Sequence, residues 1–360
     1  MGEGQLREWL DALAALGGVV SALEAVVADG ERILFRHAAG FRLGGERLVA
    51  GSGARFDAAS LTKPWMATLA LALDSIREEE KERIQLRERL AVTASVVGSG
   101  GAVRQGVLED LLRHRSGMRA WTPLALRLGK ALGDRGRLRD ALLAERSGPA
   151  GVYSDLGYIL WGLLAEERNA LSLPSLLDAH VCSPVGIASL GAIAASAEVA
   201  NAVECRLDNG KEVELAAEQG IRMAPQRSFR RGVVQDGNAR ALRAVGIFPA
   251  HAGLFVTADE MLSLAREWLR PARLLTPARV EAALVGEGAY ALGWTRWSES
   301  GSAGPALSPR SYGHTGFTGG SVWIDPEASR VYLLLSHRLS SSLDFNPFRR
   351  EFHQRAEQSF

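Results

Sequence analysis

Two residues near the start of a helical pattern have the types and spacing for nucleophilic catalysis, Ser60 and Lys63. Residues three apart share a helix face, so the hydroxyl and the ammonium can meet. A serine hydroxyl becomes a good nucleophile when a base takes its proton, and a desolvated lysine can supply or organise that base. Only four of the 42 Lys and Arg residues are lysine. The spacing alone is weak evidence, because chance predicts about 0.3 such pairs, and the alternative is that Ser60 only caps the helix.

A second group, Tyr153-Ser-Asp155, precedes another helical pattern. A tyrosine at a helix start inside a cleft could act as a general base if nearby cations lowered its pKa. The alternative is that Asp155 caps the helix and Tyr153 packs in the core.

A third group, His314-Thr315-Gly316, lies in a strand pattern and is followed by Phe317 and a Gly-Gly pair. Small residues there would let a substrate lie along the strand edge and bind backbone groups. The alternative is a plain core strand that leads into a glycine turn.

These groups must be positioned by helices and strands, and hydrophobic periodicity predicts where those elements lie. Asp29-Gly30 between two strand patterns predicts a hairpin. Helices are predicted over 5–16, 61–80, 106–114, 136–146, 155–167, 173–181, 256–270 and 347–357, and later strands over 289–297, 311–316, 321–325 and 330–336. Residues 205–237 are predicted to be loop with short strand.

Strand patterns at both chain ends and helices between them predict an α+β fold. We expect one antiparallel sheet, flanked by helices, with a mainly helical domain inserted. The predicted sheet domain comprises 1–58 and 238–360, and the helical domain comprises 59–237.

The composition and charge of the chain exclude several classes of binding partner. The chain of 360 residues is 47% hydrophobic and 23% charged, with a formal net charge of +1. We therefore expect no nucleic-acid or membrane partner. The scattered histidines lack metal-ligand spacing and no cofactor motif stands out, so neither a metal nor a cofactor is predicted. The acidic N-terminal stretch lacks the features of a signal peptide, which favours a cytoplasmic location. The sequence does not predict an oligomeric state.

The three groups occur as ASLTK, YSD and GHTGFTGG, in the order and rough spacing of the active-serine β-lactamase and penicillin-binding-protein superfamily. The chain most resembles the class C branch, with its esterase and D-aminopeptidase relatives. The stretches LEDLLRHRSGM, VVQDGNARA and HAGLFVTADEM agree. The resemblance implies an antiparallel sheet, a helical domain and a site between them. It also implies that Ser60 is acylated, that Lys63 and Tyr153 share acid–base work, and that the backbone N–H groups of Ser60 and Phe317 form an oxyanion hole.

Two departures from the family pattern bear on the substrate. His314 stands where lysine is usual, and at an ordinary pKa near 6.5 it is mostly neutral at pH 7. The site then lacks a permanent cation, and binding of anionic substrates should weaken as pH rises through about 6.5. Asp155 stands where asparagine is usual, and its carboxylate would favour the ammonium form of Lys63. That would shift the base role toward Tyr153.

Several residues are expected to bind substrate by resemblance: Asp155, His314, Thr315, Gly316, Asn346 and Arg349. For Asn346 and Arg349 the alternative is a solvated helix start. Gln235-Asp236 replaces a His-Asp pair of many relatives, and the sequence assigns it no role.

The sequence thus predicts a serine hydrolase that forms an acyl-enzyme on Ser60 and acts on carboxylic esters or small amides. A β-lactamase, a D,D-peptidase or a D-aminopeptidase is the alternative within this class. A non-catalytic binding protein on the same fold is the alternative from another class.

Overall fold

The strands from the two chain ends form one six-stranded antiparallel sheet. The structure, a computed structural model, describes residues 2–15, 17–42, 45–75, 108–145, 151–190, 199 and 201–360. Its strands are β1 Val20–Asp29, β2 Ile33–Gly40, β3 Phe56–Asp57, β4 Glu204–Asp208, β5 Arg227–Arg231, β6 Phe255–Val256, β7 Thr295–Arg296, β8 Tyr312–Thr315, β9 Gly319–Asp325 and β10 Arg330–Arg338. The sheet order is β2-β1-β10-β9-β8-β7, while β3 pairs with β6 and β4 with β5. The predicted α+β fold with a sheet built from both termini is confirmed.

The β1–β2 hairpin forms where Asp29-Gly30 predicts it. The Asp29 carboxylate accepts the backbone N–H of Glu31 at 2.8 Å, which stabilises the turn. On its other edge β1 pairs with β10 in antiparallel register, with Val26 opposite Leu333. The N-terminal hairpin therefore lies at the edge of strands that come from the last third of the chain.

The described helices cover both faces of the sheet. They are Glu3–Ala14, Thr62–Ser75, Leu108–Leu112, Leu124–Leu128, Arg135–Ala144, Asp155–Asn169, Leu173–Leu177, Ser183–Val185, Gly210–Glu218, Gly237–Ala244, Ala258–Leu269, Pro277–Leu284 and Asn346–Glu357. Each predicted helix has an observed counterpart, although 16, 76–80, 106–107 and 146 lie outside the described residues. The division into a sheet domain of 1–58 and 238–360 and a helical domain of 59–237 stays a prediction.

Two predicted segments differ from the structure. The strand expected over 289–297 is reduced to β7, because Gly293 takes a left-handed backbone (φ +75°) that ends the extended run. A Cβ on Gly293 would lie 2.2 Å from the Cβ of Ala67, so the chain presses against the helix that carries Lys63. The segment 205–237 contains a helix, Gly210–Glu218, as well as β4 and β5.

The core has two main layers. One face of the sheet packs with the Thr62–Ser75 and Ala258–Leu269 helices, where Trp65 and Trp268 are fully buried. The other face packs with the Glu3–Ala14 and Asn346–Glu357 helices. Among the described residues, no helix combines the length and apolarity needed to cross a membrane.

Candidate active site

Ser60 lies in a 3₁₀ turn, Ala59–Leu61, that leads into the Thr62–Ser75 helix. Its Oγ is contacted by Lys63 and Tyr153, so the cap interpretation of this serine is not supported. Ala59 has a left-handed backbone (φ +45°), a conformation that is strained for alanine. The buried Asp57 carboxylate accepts the Ala59 N–H at 2.9 Å and holds this turn in place.

The ammonium of Lys63 is fully buried and has an acceptor for each of its three protons. The Nζ atom lies 3.1 Å from Ser60 Oγ, 2.7 Å from Asp155 Oδ1 and 2.9 Å from the backbone oxygen of His251. These contacts fix the amine beside the hydroxyl that it would deprotonate.

Tyr153 and Asp155 reach this point from the start of the Asp155–Asn169 helix. The Tyr153 hydroxyl donates to Ser60 Oγ at 2.9 Å. Ser154, rather than Asp155, caps the helix by accepting the Gly157 N–H. The Asp155 carboxylate is therefore free of the capping role and pairs with Lys63.

The protonation states reverse the expected division of the base role. Burial, followed by the charge of Asp155, raises the pKa of Tyr153 well above its usual value, so Tyr153 is a neutral phenol. Burial lowers the pKa of Lys63, although the Asp155 carboxylate opposes it as the sequence predicts. The condition for Tyr153 to act as a general base, a pKa lowered by nearby cations, is therefore not met. Lys63 is the better candidate for general base, and Tyr153 for proton donor.

His114 supports Tyr153 and was not singled out from the sequence. Its Nδ1 accepts the backbone N–H of Ser154 at 2.9 Å, and its ring lies 4.4 Å from the Tyr153 ring, centroid to centroid. Burial, followed by the charge of Lys63, lowers the pKa of His114 well below its usual value. Tyr290 packs against the same ring at 4.8 Å. The sequence does not predict either aromatic contact of His114, because Tyr153 and Tyr290 lie in distant segments of the chain.

His314 is buried, and its Nδ1 donates to the backbone oxygen of Thr315. Burial, followed by the charge of Lys63, lowers the pKa of His314 to about 3. The ring is therefore neutral throughout the physiological range, and the expected loss of charge near pH 6.5 is wrong. The low pKa that burial and Lys63 impose on His314 is the physical reason why this position offers no permanent cation.

The open edge of β8 lies beside the nucleophile. β7 pairs with β8 only at Tyr312 and Gly313, so within the described chain the outer edge of His314 and Thr315 has no strand partner. A Cβ on Gly316 would meet the backbone oxygen of Ala58 at 2.9 Å, so the turn after β8 packs directly on the Ser60 turn. This packing brings the Phe317 segment to the nucleophile, as an oxyanion hole shared by the two turns requires.

Asn346 and Arg349 begin the last helix but contact the protein itself. The Arg349 guanidinium is buried and donates to the backbone oxygens of Gly316 at 2.9 Å and Gly320 at 3.1 Å, as well as to Asn346 Oδ1 at 2.8 Å. These contacts favour a role in holding the turn after β8 over a direct substrate contact. They also exclude the solvated helix start for Arg349.

Half-buried Asp236, to which the sequence assigned no role, pairs with buried His251, whose backbone oxygen contacts Lys63. Asp236 Oδ1 accepts from His251 Nε2 at 3.0 Å, and His251 is 1% exposed. Atoms of Asp155, Asp236 and His251 lie within 4.8 Å of one another, and these are donor types that also bind metal ions. The Lys63 ammonium already occupies Asp155 Oδ1 and would repel a cation, so the group suits proton handling better than metal binding.

The chain is similar to a known family and to curated proteins over much of its length. The family model described as Beta-lactamase matches residues 6–354. The chain is 27% identical over 262 residues to an N-acetylmuramyl-L-alanine amidase of Bacillus subtilis (strain 168), which is 64% of this chain and 55% of that protein. It is 24% identical over 266 residues to a putative D-alanyl-D-alanine carboxypeptidase of Escherichia coli O157:H7, again 64% of this chain and 56% of that protein. The chain thus spans about half the length of these curated relatives.

Solved structures share the fold over nearly the whole chain. EstCE1, described as a hydrolase with promiscuous acyltransferase activity, superimposes with a TM-score of 0.67 at 18% identity and covers 98% of both chains. A penicillin-binding protein homologue from Caulobacter crescentus gives a TM-score of 0.66 at 18% identity, covering 99% of this chain and 97% of the other. At such identities the likeness concerns the fold.

Proposed function

This chain belongs to the beta-lactamase family, and on that premise we propose that it is a serine hydrolase that forms an acyl-enzyme on Ser60. The observation that carries the proposal is the contact of one serine oxygen with two acid–base groups. Lys63 Nζ lies 3.1 Å and Tyr153 OH lies 2.9 Å from Ser60 Oγ, and the lysine is fully buried. A serine that only capped a helix would not need contacts from both of these acid–base groups.

Each proton has a path in the proposed reaction. The neutral amine of Lys63 takes the proton of Ser60 Oγ as the oxygen bonds to the substrate carbonyl carbon. The backbone N–H groups of Ser60 and Phe317 stabilise the oxyanion. The Tyr153 hydroxyl protonates the leaving group as its bond to carbon breaks, and Lys63 returns a proton to the Tyr153 oxygen. Water then hydrolyses the ester on Ser60 through the same groups.

The charges around the site support neutral substrates. His314 is neutral, and the guanidinium of Arg349 is engaged with the backbone of the turn after β8. No permanent cation is thus offered at position 314 to a substrate carboxylate, which is a feature of β-lactams and D,D-peptides. Carboxylic esters and small amides are the substrates that this site suits best.

A second candidate is hydrolysis of peptide-type amides. The names of the curated relatives, an amidase and a putative carboxypeptidase, favour it. The site accommodates either leaving group because Tyr153 can protonate an amine or an alkoxide.

A labelling experiment tests the proposal. A fluorophosphonate should label the wild-type protein and spare Ser60→Ala, because only an activated serine reacts. Ser263→Ala is the matched control, since Ser263 only donates to a backbone oxygen of its own helix. A panel of p-nitrophenyl esters, nitrocefin and D-alanyl amides then ranks the substrates. Absence of labelling and of turnover would favour the non-catalytic alternative.

A further inference from the structure

Lys63 depends on a residue that lies outside the three sequence groups. Two of its acceptors are side chains of those groups, Ser60 and Asp155, but the third is the backbone oxygen of His251 at 2.9 Å. A backbone oxygen can direct an ammonium only if the segment that carries it is itself held in place.

The side chain of His251 supplies that hold. His251 lies in the turn after Pro249, outside any helix or strand, and its ring donates through Nε2 to Asp236 Oδ1 at 3.0 Å. Asp236 is fixed in turn, because the same Oδ1 accepts the Ala239 N–H at 2.7 Å and caps the Gly237–Ala244 helix. The His251 oxygen is thereby tied to a helix start through two hydrogen bonds.

The segment around His251 also runs along the nucleophile turn. The Leu254 N–H donates to Thr62 Oγ1 at 3.2 Å, and the Leu254 oxygen accepts the Ala58 N–H at 2.9 Å. A displacement of this segment would therefore disturb Ala58 and Thr62, which lie on the two sides of Ser60 in the chain.

Asp236 also places a second carboxylate near Lys63. Carboxylate oxygens of Asp155 and Asp236 lie within 4.8 Å of each other, and Asp155 touches the ammonium. Burial alone would raise the pKa of Asp236, but His251, then the Ala239 N–H and then Lys63 overcome it and lower the pKa to about 2. Asp236 is thus ionised, and its charge favours the ammonium form of Lys63.

We infer that Asp236 and His251 are positioning residues of this site, which together fix the backbone oxygen that receives Lys63 and hold a second carboxylate beside it. The inference rests on the proposed function, because the position of Lys63 matters for catalysis only if Lys63 removes the proton of the Ser60 hydroxyl. Neither residue is assigned a contact with substrate.

Other titratable groups lie close to Lys63 or to the pair of Asp236 and His251, and their charges affect the titration of Lys63. The groups that face Lys63 are Asp155, Tyr153, Tyr158, His114 and His314. Glu212 faces the pair and accepts the Gly237 N–H; burial, then the charge of Asp236, raises its pKa to about 7. A comparison of variants at Asp236 must therefore extend well above pH 7, where Glu212 is ionised.

The chain offers a direct measurement because it has only four lysines. Full-length protein labelled with [ε-¹³C]lysine gives few signals, and the Lys63 signal is the one lost in Lys63→Arg. Asp236→Asn keeps an oxygen that can accept from His251 but removes the charge. We expect the Lys63 titration midpoint to move to lower pH by roughly half a unit to one unit. An unmoved or raised midpoint would overturn the inference.

Kinetics supply the second measurement. In Asp236→Asn the rising limb of kcat/KM against pH should move to lower pH with the lysine midpoint, since the base must be deprotonated. His251→Gln, which removes the ring and keeps the backbone oxygen, should lower kcat about tenfold with KM within about twofold. An unchanged kcat in His251→Gln contradicts the positioning role, even if Asp236→Asn does not fold.

The matched control is Asp11→Asn. Asp11 accepts from His37 Nε2 at 2.9 Å, a pair of the same geometry, on the Glu3–Ala14 helix at the other face of the sheet. It should move neither the midpoint nor the kinetics. Failure of the proposed function is distinguishable, because wild-type protein would then not react with a fluorophosphonate, whereas the lysine titration still tests the inference.

Discussion

The Nζ atom of Lys63, fully buried, lies 2.7 Å from Oδ1 of Asp155, whose side chain is 17% exposed. The charged lysine is thus compensated by a carboxylate that borders the open side of the site. The carboxylate of Asp155 opposes the effect of burial on the pKa of Lys63 more strongly than the more distant Asp236 does, so the pH at which the lysine becomes a base depends most directly on Asp155.

Replacement of the carboxylate by an amide should therefore shift the pH dependence of the enzyme. Asp155→Asn retains an acceptor for Lys63 but removes the charge that favours its ammonium. The rising limb of kcat/KM should move to lower pH by about one unit, and further than in Asp236→Asn, because Asp155 is in direct contact. The measurement is the rate of p-nitrophenyl acetate hydrolysis from pH 5 to 10. A limb that stays in place would show that Lys63 is not the group that titrates.

Lys63→Arg should abolish most of the activity although it keeps a positive charge. A guanidinium cannot give up a proton in this pH range, and its planar fork does not fit a pocket with three acceptors around one nitrogen. We expect kcat to fall at least tenfold, or about 1.4 kcal/mol of barrier. Lys211→Arg is the matched control, because Lys211 is an exposed lysine that pairs with Glu214. An arginine variant within tenfold of wild type would remove the proton-transfer role.

The neutral state of His314 determines how anionic substrates respond to pH. With its pKa lowered to about 3, the ring stays uncharged from pH 5 to 9, so the KM for an anionic ester should not change as pH passes 6.5. His314→Lys should lower that KM by at most a few-fold at pH 8, since a charge contact supplies about 0.5–1 kcal/mol and burial beside Lys63 opposes the new charge. Neutral p-nitrophenyl acetate is the control and should respond little. An equal effect on both esters would show that position 314 does not face the substrate carboxylate.

Buried histidines should make the fold sensitive to acid. Burial lowers the pKa of His353 to about 4, and its Nδ1 donates to the Ala303 oxygen at 2.8 Å. Between pH 6.5 and about 4 the unfolded chain binds a proton at this residue and the folded chain does not. This contribution to stability is therefore present above pH 6.5 and is lost as pH falls.

His353→Gln isolates that contribution. The difference in free energy of unfolding between wild type and variant should shrink by up to about 1.4 kcal/mol per pH unit as pH falls below 6.5. The comparison cancels Asp57 and Glu212, whose pKa values burial raises to about 6 and about 7 and which act in the opposite direction. Urea denaturation at several pH values measures the difference. A difference independent of pH would mean that His353 titrates alike in both states.

The sequence by itself determined the fold class and the residues closest to Ser60. Hydrophobic periods located the helices, and the Asp29-Gly30 hairpin was evident because such signals are local. The pair Ser60 and Lys63 was also evident, since residues three apart on a helix must meet. The strand expected over 289–297 is reduced to Thr295–Arg296, because the contact of Gly293 with Ala67 depends on a helix far away in the chain.

Only the tertiary structure decided the protonation states and the support of the site. The pKa of half-buried Tyr153 rises and that of buried His314 falls because the surrounding protein removes water from both groups, and this desolvation depends on segments brought together from the whole chain. The same holds for His251 and Asp236, which are 15 residues apart in the chain and 188 and 173 residues from Lys63. No spacing rule links such positions, because their contact comes from packing of the chain and not from the geometry of one helix or strand.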